Sequence, residues 1–144
     1  MGVIAKLGYR AALLKAGLPF SEYHCAQGLY TYRSGVEAGD HLLALDPRPT
    51  AIFAANDDMA AGVIASSMRY NLRVPGDLSV AGFDDSMFSQ AVWPQLTTCR
   101  QPIAEMAEIA ASMLILQDSE PRPEGALLKH KLIVRGSTAA PTCP

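Results

Sequence analysis

Two uncharged apolar runs, each ending abruptly in a polar cluster, constrain this chain most. Ala51-Ile52-Phe53-Ala54-Ala55 runs straight into Asn56-Asp57-Asp58, and Leu78-Ser79-Val80-Ala81-Gly82-Phe83 into Asp84-Asp85. A short apolar run without polar alternation reads as a strand covered on both faces, the situation of a parallel sheet flanked by helices. Between the runs, Ala60, Val63, Ile64 and Ser67 recur at helical spacing. Asn71 suits the left-handed residue that ends such a helix. Val74-Pro75-Gly76-Asp77 then reads as a turn, with proline presetting φ and glycine accepting a positive one.

The flanking segments extend the alternation. Leu7, Ala11 and Leu14 predict a first helix that stops at Gly17, before Leu18-Pro19. Ser21 to Gln27 is a candidate strand with a weak pattern. Ser34 and Glu37 form a capping box that opens a second helix with Val36, Gly39, Leu42 and Leu43 on one side; Pro47-Arg48-Pro49 then breaks the chain. Past Trp93-Pro94, Leu96 to Arg100 predicts a short strand. Pro102 opens a helix bearing Ile103, Met106, Ala107, Ala110, Met113 and Leu114 on one face. Asp118 to Gly125 reads as a flexible loop. Leu128, His130, Leu132 and Val134 alternate with Lys129, Lys131 and Arg135, as in a half-exposed strand. Strand and helix in turn predict an α/β fold, an open and mostly parallel sheet flanked by helices.

The bulk properties narrow function by exclusion. The chain has 144 residues, room for one core rather than two. It carries 12 basic and 14 acidic residues without a block of either sign. No Lys/Arg stripe of the kind that neutralises duplex phosphates is visible. No apolar stretch approaches a membrane span, and no basic segment followed by an apolar block marks a secretion signal. Cys25, Cys99 and Cys143 are odd in number and scattered, which fits a reducing cytoplasm better than a disulfide framework. His24, His41 and His130 do not cluster as metal ligands do, and His24 and Cys25 are read as packing residues. No cofactor motif or nucleophile motif occurs, so binding is favoured over catalysis.

In open parallel sheets, ligands sit beyond the carboxyl ends of the strands. Asn56, Asp84 and Gln101 each fall at such an end. Two amides and a carboxylate offer donors and acceptors suited to a polyol or a purine. Blander roles compete at the neighbouring positions. Asp57 and Asp85 are well placed as helix caps, and Asp58 as a solvated first-turn acid.

Five blocks together resemble the LacI/GalR family of transcription regulators. Pro49 to Gly62, with its P-T-A and N-D elements, is one, and Val74 to Asp85, with V-P-x-D, S-V and G-F-D-D, is another. Pro94-Gln95-Leu96-Thr97-Thr98-Cys99-Arg100-Gln101 is similar to P-x-L-T-T-x-x-Q, and Leu132 to Thr138 to the closing L-x-V-R-x-S-T. Gly8-Tyr9-Arg10-Ala11-Ala12-Leu13 precedes them all, as in the family.

The resemblance implies a periplasmic-binding-protein-like sensor of type I. It has two α/β lobes with an effector between them, of which residues 1–144 are essentially the C-terminal lobe plus remnants of the first. It places Asn56, Asp84 and Gln101 against a sugar or nucleobase-like effector. Because Gly28 to Gly35 resembles a G-D-aromatic-x-x-x-S-G stretch, it also stacks Tyr30 there; an ordinary surface tyrosine is the alternative. It implies a homodimer, with Met87, Phe88, Val92 and Trp93 as interface, and DNA contact only through a helix-turn-helix domain that these residues do not contain. One position departs from the pattern: Ala5 stands where the family carries an effector-binding arginine. A periplasmic sugar-binding component of an uptake system is the alternative function, and an α/β enzyme a third.

Overall fold

The computed structural model describes residues 3–115 and 127–141; the expected loop at Asp118 to Gly125 and Cys143 lie outside them. The elements are α1 (Val3–Lys15), a 3-10 turn (Glu22–His24), α2 (Tyr32–Leu43), β1 (Ala51–Phe53), α3 (Asp57–Arg69), β2 (Ser79–Ala81), α4 (Phe88–Ala91), β3 (Thr98–Arg100), α5 (Ile103–Ile115) and β4 (Lys131–Ile133). β1 and β2 run parallel, with Ile52 opposite Val80. Parallel bridges from Ala81 to Thr97 and from Asp84 to Arg100 carry the sheet on to β3, and β4 closes the far side antiparallel. This is the expected α/β architecture, in the spatial order β1-β2-β3-β4. Among the described residues no helix is long and apolar enough to cross a membrane.

The core forms where α2 and α3 meet the sheet. Leu42 and Leu43 of α2, Met59, Ala60, Val63 and Ile64 of α3, and Ile52, Leu78, Val80 and Leu96 from the sheet make one cluster. The two helices approach backbone to backbone because glycines stand at the crossing. A Cβ on Gly62 would lie 2.3 Å from the Tyr32 carbonyl oxygen, and one on Gly35 would lie 2.3 Å from that of Met59. The sheet is tied shut by the closing segment. Ser137, fully buried, accepts the Thr97 amide at 2.8 Å and donates to the Val80 carbonyl at 2.6 Å. Its own carbonyl accepts the Val80 amide at 2.8 Å. Residues near the C-terminus thus fill the gap between β2 and β3 before those strands pair.

Local signals set most helix ends. Gly17, at φ 70°, stops α1, and the Leu18 amide reaches back to the Leu13 carbonyl, a Schellman closure. Asn71, at φ 54°, does the same for α3. The turn after it is stapled by Arg73, whose backbone amide and guanidinium both bind Asp77 at 2.8 Å; Gly76 takes no positive φ there.

Several expectations fail. The cap of α2 lies three residues before the predicted one. Thr31 is the N-cap and Ser34 its reciprocal partner, while Glu37 pairs with Arg33 on the surface. Ser21 to Gln27 forms a 3-10 turn and extended chain rather than a strand. β1 is covered on one face only, through Ile52 and Ala54, with Ala51 exposed. In β4 the pattern is inverted: Ile133 is half-buried while Leu132 and Val134 are exposed. The apolar faces of α1 and α5 are likewise open, with Leu7, Leu14, Ile103 and Leu114 at 59, 64, 61 and 69% exposure. His24 lies edge-on to Tyr23, and Cys25 donates to the Ser21 carbonyl.

Gly62→Ala is expected to destabilise the chain by about 3 kcal/mol or more, since backbone rather than a yielding side chain blocks the new methyl. Gly8→Ala, which meets nothing within 4 Å on a helix, should instead stabilise by about 0.5–1 kcal/mol. Urea titrations of the two variants check the contrast, and equal effects would contradict the packing described.

Candidate functional site

The carboxyl ends of β1, β2 and β3 lie side by side, and the polar clusters of the sequence converge there. Asn56 leaves β1 and caps α3: its Oδ1 accepts the Met59 amide at 3.0 Å. Its Nδ2 donates to the Tyr30 carbonyl at 3.0 Å. The cap therefore belongs to Asn56 and not to Asp57, contrary to the sequence expectation. Asp58 is only partly exposed in the first turn.

Asp57 turns inward and is 1% exposed. It accepts from Thr98 Oγ1 and from the Ser86 amide, both at 2.6 Å. Burial pushes its carboxyl above the ordinary range, opposed by those hydrogen bonds, and the nearby Asp84 charge adds to the rise. The space exists because residue 82 is glycine: a Cβ there would fall 2.3 Å from Asp57 Oδ1. The Ser86 hydroxyl is buried beside it.

Asp84 and Asp85 both take left-handed backbone, at φ 102° and 55°, and Tyr30 does so at 60°. Non-glycine residues are strained in that region, and such strain concentrates at functional sites. Asp84 accepts from Gln101 Nε2 at 2.7 Å, so two of the expected ligand residues are in contact. Asp85 faces the other way, its side chain 3% exposed. It accepts from Arg100 at 2.5 Å, Arg135 at 2.7 Å and Ser89 Oγ at 3.0 Å. Burial raises its carboxyl, but the two guanidiniums and Ser89 outweigh this and hold it below the ordinary value. Asp85 is thus an ion-pair centre rather than the helix cap expected; α4 has no side-chain cap.

The structure therefore brings the expected residues together in two pairs, Asp84 with Gln101 and Asn56 with Tyr30, at adjacent strand ends. The Tyr30 ring is half exposed. Ala5 lies in the first turns of α1, its side chain outside those described. An apolar groove elsewhere, lined by β1 and by Tyr9, His24 and Leu42, touches none of the four residues. Met87, Phe88 and Trp93 are exposed, at 85, 42 and 82%, whereas Val92 packs against the chain's own core. Sequence reasoning missed Thr98, Ser86, Arg100 and Arg135, because nothing local to a threonine or an arginine says which distant carboxylate it will meet. Among the described residues no cluster of His, Cys, Asp and Glu could hold a metal.

Chemically, the Asp84–Gln101 pair offers a carboxylate and an amide carbonyl to hydroxyl donors. An exposed aromatic face nearby can cover an apolar ring surface. That combination suits polar, hydroxylated small molecules.

Asp85 gives a pH signature. Its folded carboxyl lies below the ordinary 3.8, so it contributes stability above that pH and loses it as pH falls through the lowered value. Asp57, raised by burial, acts oppositely and becomes easier to accommodate on acidification. Asp85→Asn is expected to cost about 1–3 kcal/mol at neutral pH, because it removes the charged partner of Arg135, 13% exposed, while Arg100, 52% exposed, stays solvated. The gap from the native chain should narrow as pH drops from about 5 towards 2. Urea titrations across that range check this, and a constant gap would contradict it.

Comparison with known proteins bears on the family and the fold. Residues 3–138 match the model of a periplasmic binding protein-like domain. Catabolite control protein A of Priestia megaterium is 39% identical over 133 residues, 91% of this chain and 40% of the relative. The HTH-type transcriptional repressor CytR of Escherichia coli (strain K12) is 38% identical over 136 residues, 92% and 40%. The chain thus spans 40% of the length of these curated relatives. Among solved structures, a LacI-family sugar-binding transcriptional regulator from Escherichia coli, complexed with phosphate, superposes with a TM-score of 0.85 at 33% identity, covering 93% of this chain and 49% of that one. The transcriptional regulator CelR in complex with cellobiose superposes at 0.79 with 36% identity, covering 90% and 40%. With the order of its strands, the polar pairs at their carboxyl ends and this match along nearly its whole length, the chain belongs to the periplasmic-binding-protein-like domain family of LacI-type transcriptional regulators.

Proposed function

We propose that these residues are the effector-sensing part of a sugar-responsive transcription regulator that works in the cytoplasm. The observation that carries the reading is the Asp84–Gln101 pair, 2.7 Å apart at a strand end, on backbone held left-handed beside the paired Asp85. A hydroxylated ligand would donate to Asp84 and bond Gln101, with Tyr30 stacked on a ring face and Asn56 fixing the Tyr30 loop. The solved relative CelR holds cellobiose, which supports a saccharide as the effector class. Residues 1–144 form one wall of the cleft in this reading, and both the opposing lobe and the DNA-reading domain lie outside them. No Lys/Arg stripe prepares this chain itself for duplex DNA.

One wall alone holds a sugar weakly, because hydrogen bonds open to water gain little over hydration. NMR titration with cellobiose, glucose, ribose and nucleosides should give millimolar binding, about −4 kcal/mol, with shifts at Tyr30, Asp84 and Gln101. Asp84→Asn should abolish them. Shifts that map elsewhere, or none at tens of millimolar (a concentration chosen above that Kd), would overturn the assignment.

The same reading makes the chain a homodimer through the loop after Asp85. Met87, Phe88 and Trp93 are exposed within one short stretch of chain, and grouped exposed apolar residues mark an interface; Val92 packs against the chain's own core. Sedimentation equilibrium at about 50 µM, a concentration that reveals pairs of micromolar Kd, should show dimer. Trp93→Glu should shift it to monomer, and a native chain already monomeric there would refute the interface.

A further inference from the structure

Three successive backbone amides carry the turn that presents Asp84, and each has an acceptor. The Asp84 amide donates to the Cys99 carbonyl at 2.9 Å, continuing the parallel contact with β3. The Asp85 amide donates more loosely, at 3.4 Å, to Thr98 Oγ1, and that hydroxyl donates in turn to Asp57 Oδ1 at 2.6 Å. The Ser86 amide donates to the other oxygen of the same carboxylate, Oδ2, at 2.6 Å. Two of the three ties thus end on Asp57, one directly and one through Thr98.

These ties are buried. Asp57 and Thr98 are 1% and 0% exposed, and a hydrogen bond out of reach of water is the stronger for it. The carboxylate fits there because Gly82 leaves it room. The turn that it holds has Asp84 and Asp85 at φ 102° and 55°. Residues other than glycine keep that conformation only where their surroundings over-determine it. The ion pairs to Arg100 and Arg135 grip the Asp85 side chain, whereas the ties to Asp57 grip the backbone. The preceding residue, Asn56, holds the Tyr30 carbonyl at 3.0 Å. The two halves of the wall are therefore anchored on consecutive residues at the start of α3, by separate bonds.

We propose that Asp57 is a positioning residue: bonded to Thr98 and to the Ser86 amide, it holds the turn so that Asp84 meets Gln101 and is offered to the ligand. A site binds well when its ligand-facing groups are locked by bonds behind them, and Asp57 supplies those behind Asp84. This role rests on the sugar-sensing reading for its ligand, but its geometry is measurable without one.

The readout is the Gln101 side-chain amide, followed by NMR in the 144-residue chain and compared with its position in urea. Thr98→Val removes the hydroxyl at nearly unchanged volume, and Asp57→Asn removes the charge while keeping an oxygen for the Ser86 amide. Both should move the Gln101 amide most of the way to its unfolded position and leave Tyr30, tied through Asn56, in place. Thr98→Ser, which keeps the hydroxyl, should restore the native position. Val63→Ala, in the core, should lower the urea midpoint without moving Gln101. With cellobiose as the probe, Kd should rise about tenfold in Thr98→Val and return to the native value in Thr98→Ser. A Gln101 amide that stays native in both Thr98→Val and Asp57→Asn overturns the role. So does one that Val63→Ala moves as far, or a Tyr30 signal that moves with it, since either is general loosening. If Thr98→Val does not fold, Asp57→Asn decides. If the native chain binds no cellobiose, the saccharide reading fails, and the Gln101 amide still decides what Asp57 does.

Discussion

The carboxylate of Asp57 is where the ends of three strands meet. It enters the protein at the first turn of α3, directly after β1, and accepts from Thr98 at the start of β3 and from the Ser86 amide beyond β2. A charge buried this way is costly unless its lone pairs are filled, so the contact holds only if all three segments arrive together. Gly82 is the steric condition, since any side chain there would occupy the carboxylate's place. The N-D and G-F-D patterns are thus two halves of one interaction, separated by a helix and a turn.

On that foundation stands a second, ionic layer. Asp85 sits between Arg100 and Arg135, and Arg135 also donates to the Leu96 carbonyl. Hydrogen-bonded ion pairs with little access to water gain geometric definition. The adjacent Asp84, at φ 102°, lies on the same turn just beyond β2. Ser137 and Thr138 fasten the same closing segment to Val80 and Thr97. A segment distant in sequence therefore helps to fix the strand end that carries Asp84.

The two unfinished regions, the open edge of β1 and the bare faces of α1 and α5, follow from the same topology. Parallel strands are stable when flanked on both sides and covered on both faces. β2 meets that condition and buries Val80 completely. β1 meets half of it, and Ala51 is left in water.

The alternation of strand and helix from β1 onward, the turns at Gly17 and Asn71, and the polar strand ends were legible in the sequence, because each is a local matter; the strand expected at Ser21 to Gln27 and the short α4 were not. Apolar runs, capping residues and left-handed positions act within a few neighbours and leave their mark there. Asn56, Asp84 and Gln101 were legible as strand-end residues for the same reason. What Asp57 and Asp85 do was not. Both looked like helix caps, and only the folded chain brings Thr98, Ser86, Arg100 and Arg135 to them across 15 to 50 residues. The coverage of β1 and the face of β4 that turns inward were also decided by tertiary structure. A pattern of apolar residues states which groups avoid water, but the neighbours that shield them are fixed only when the sheet assembles.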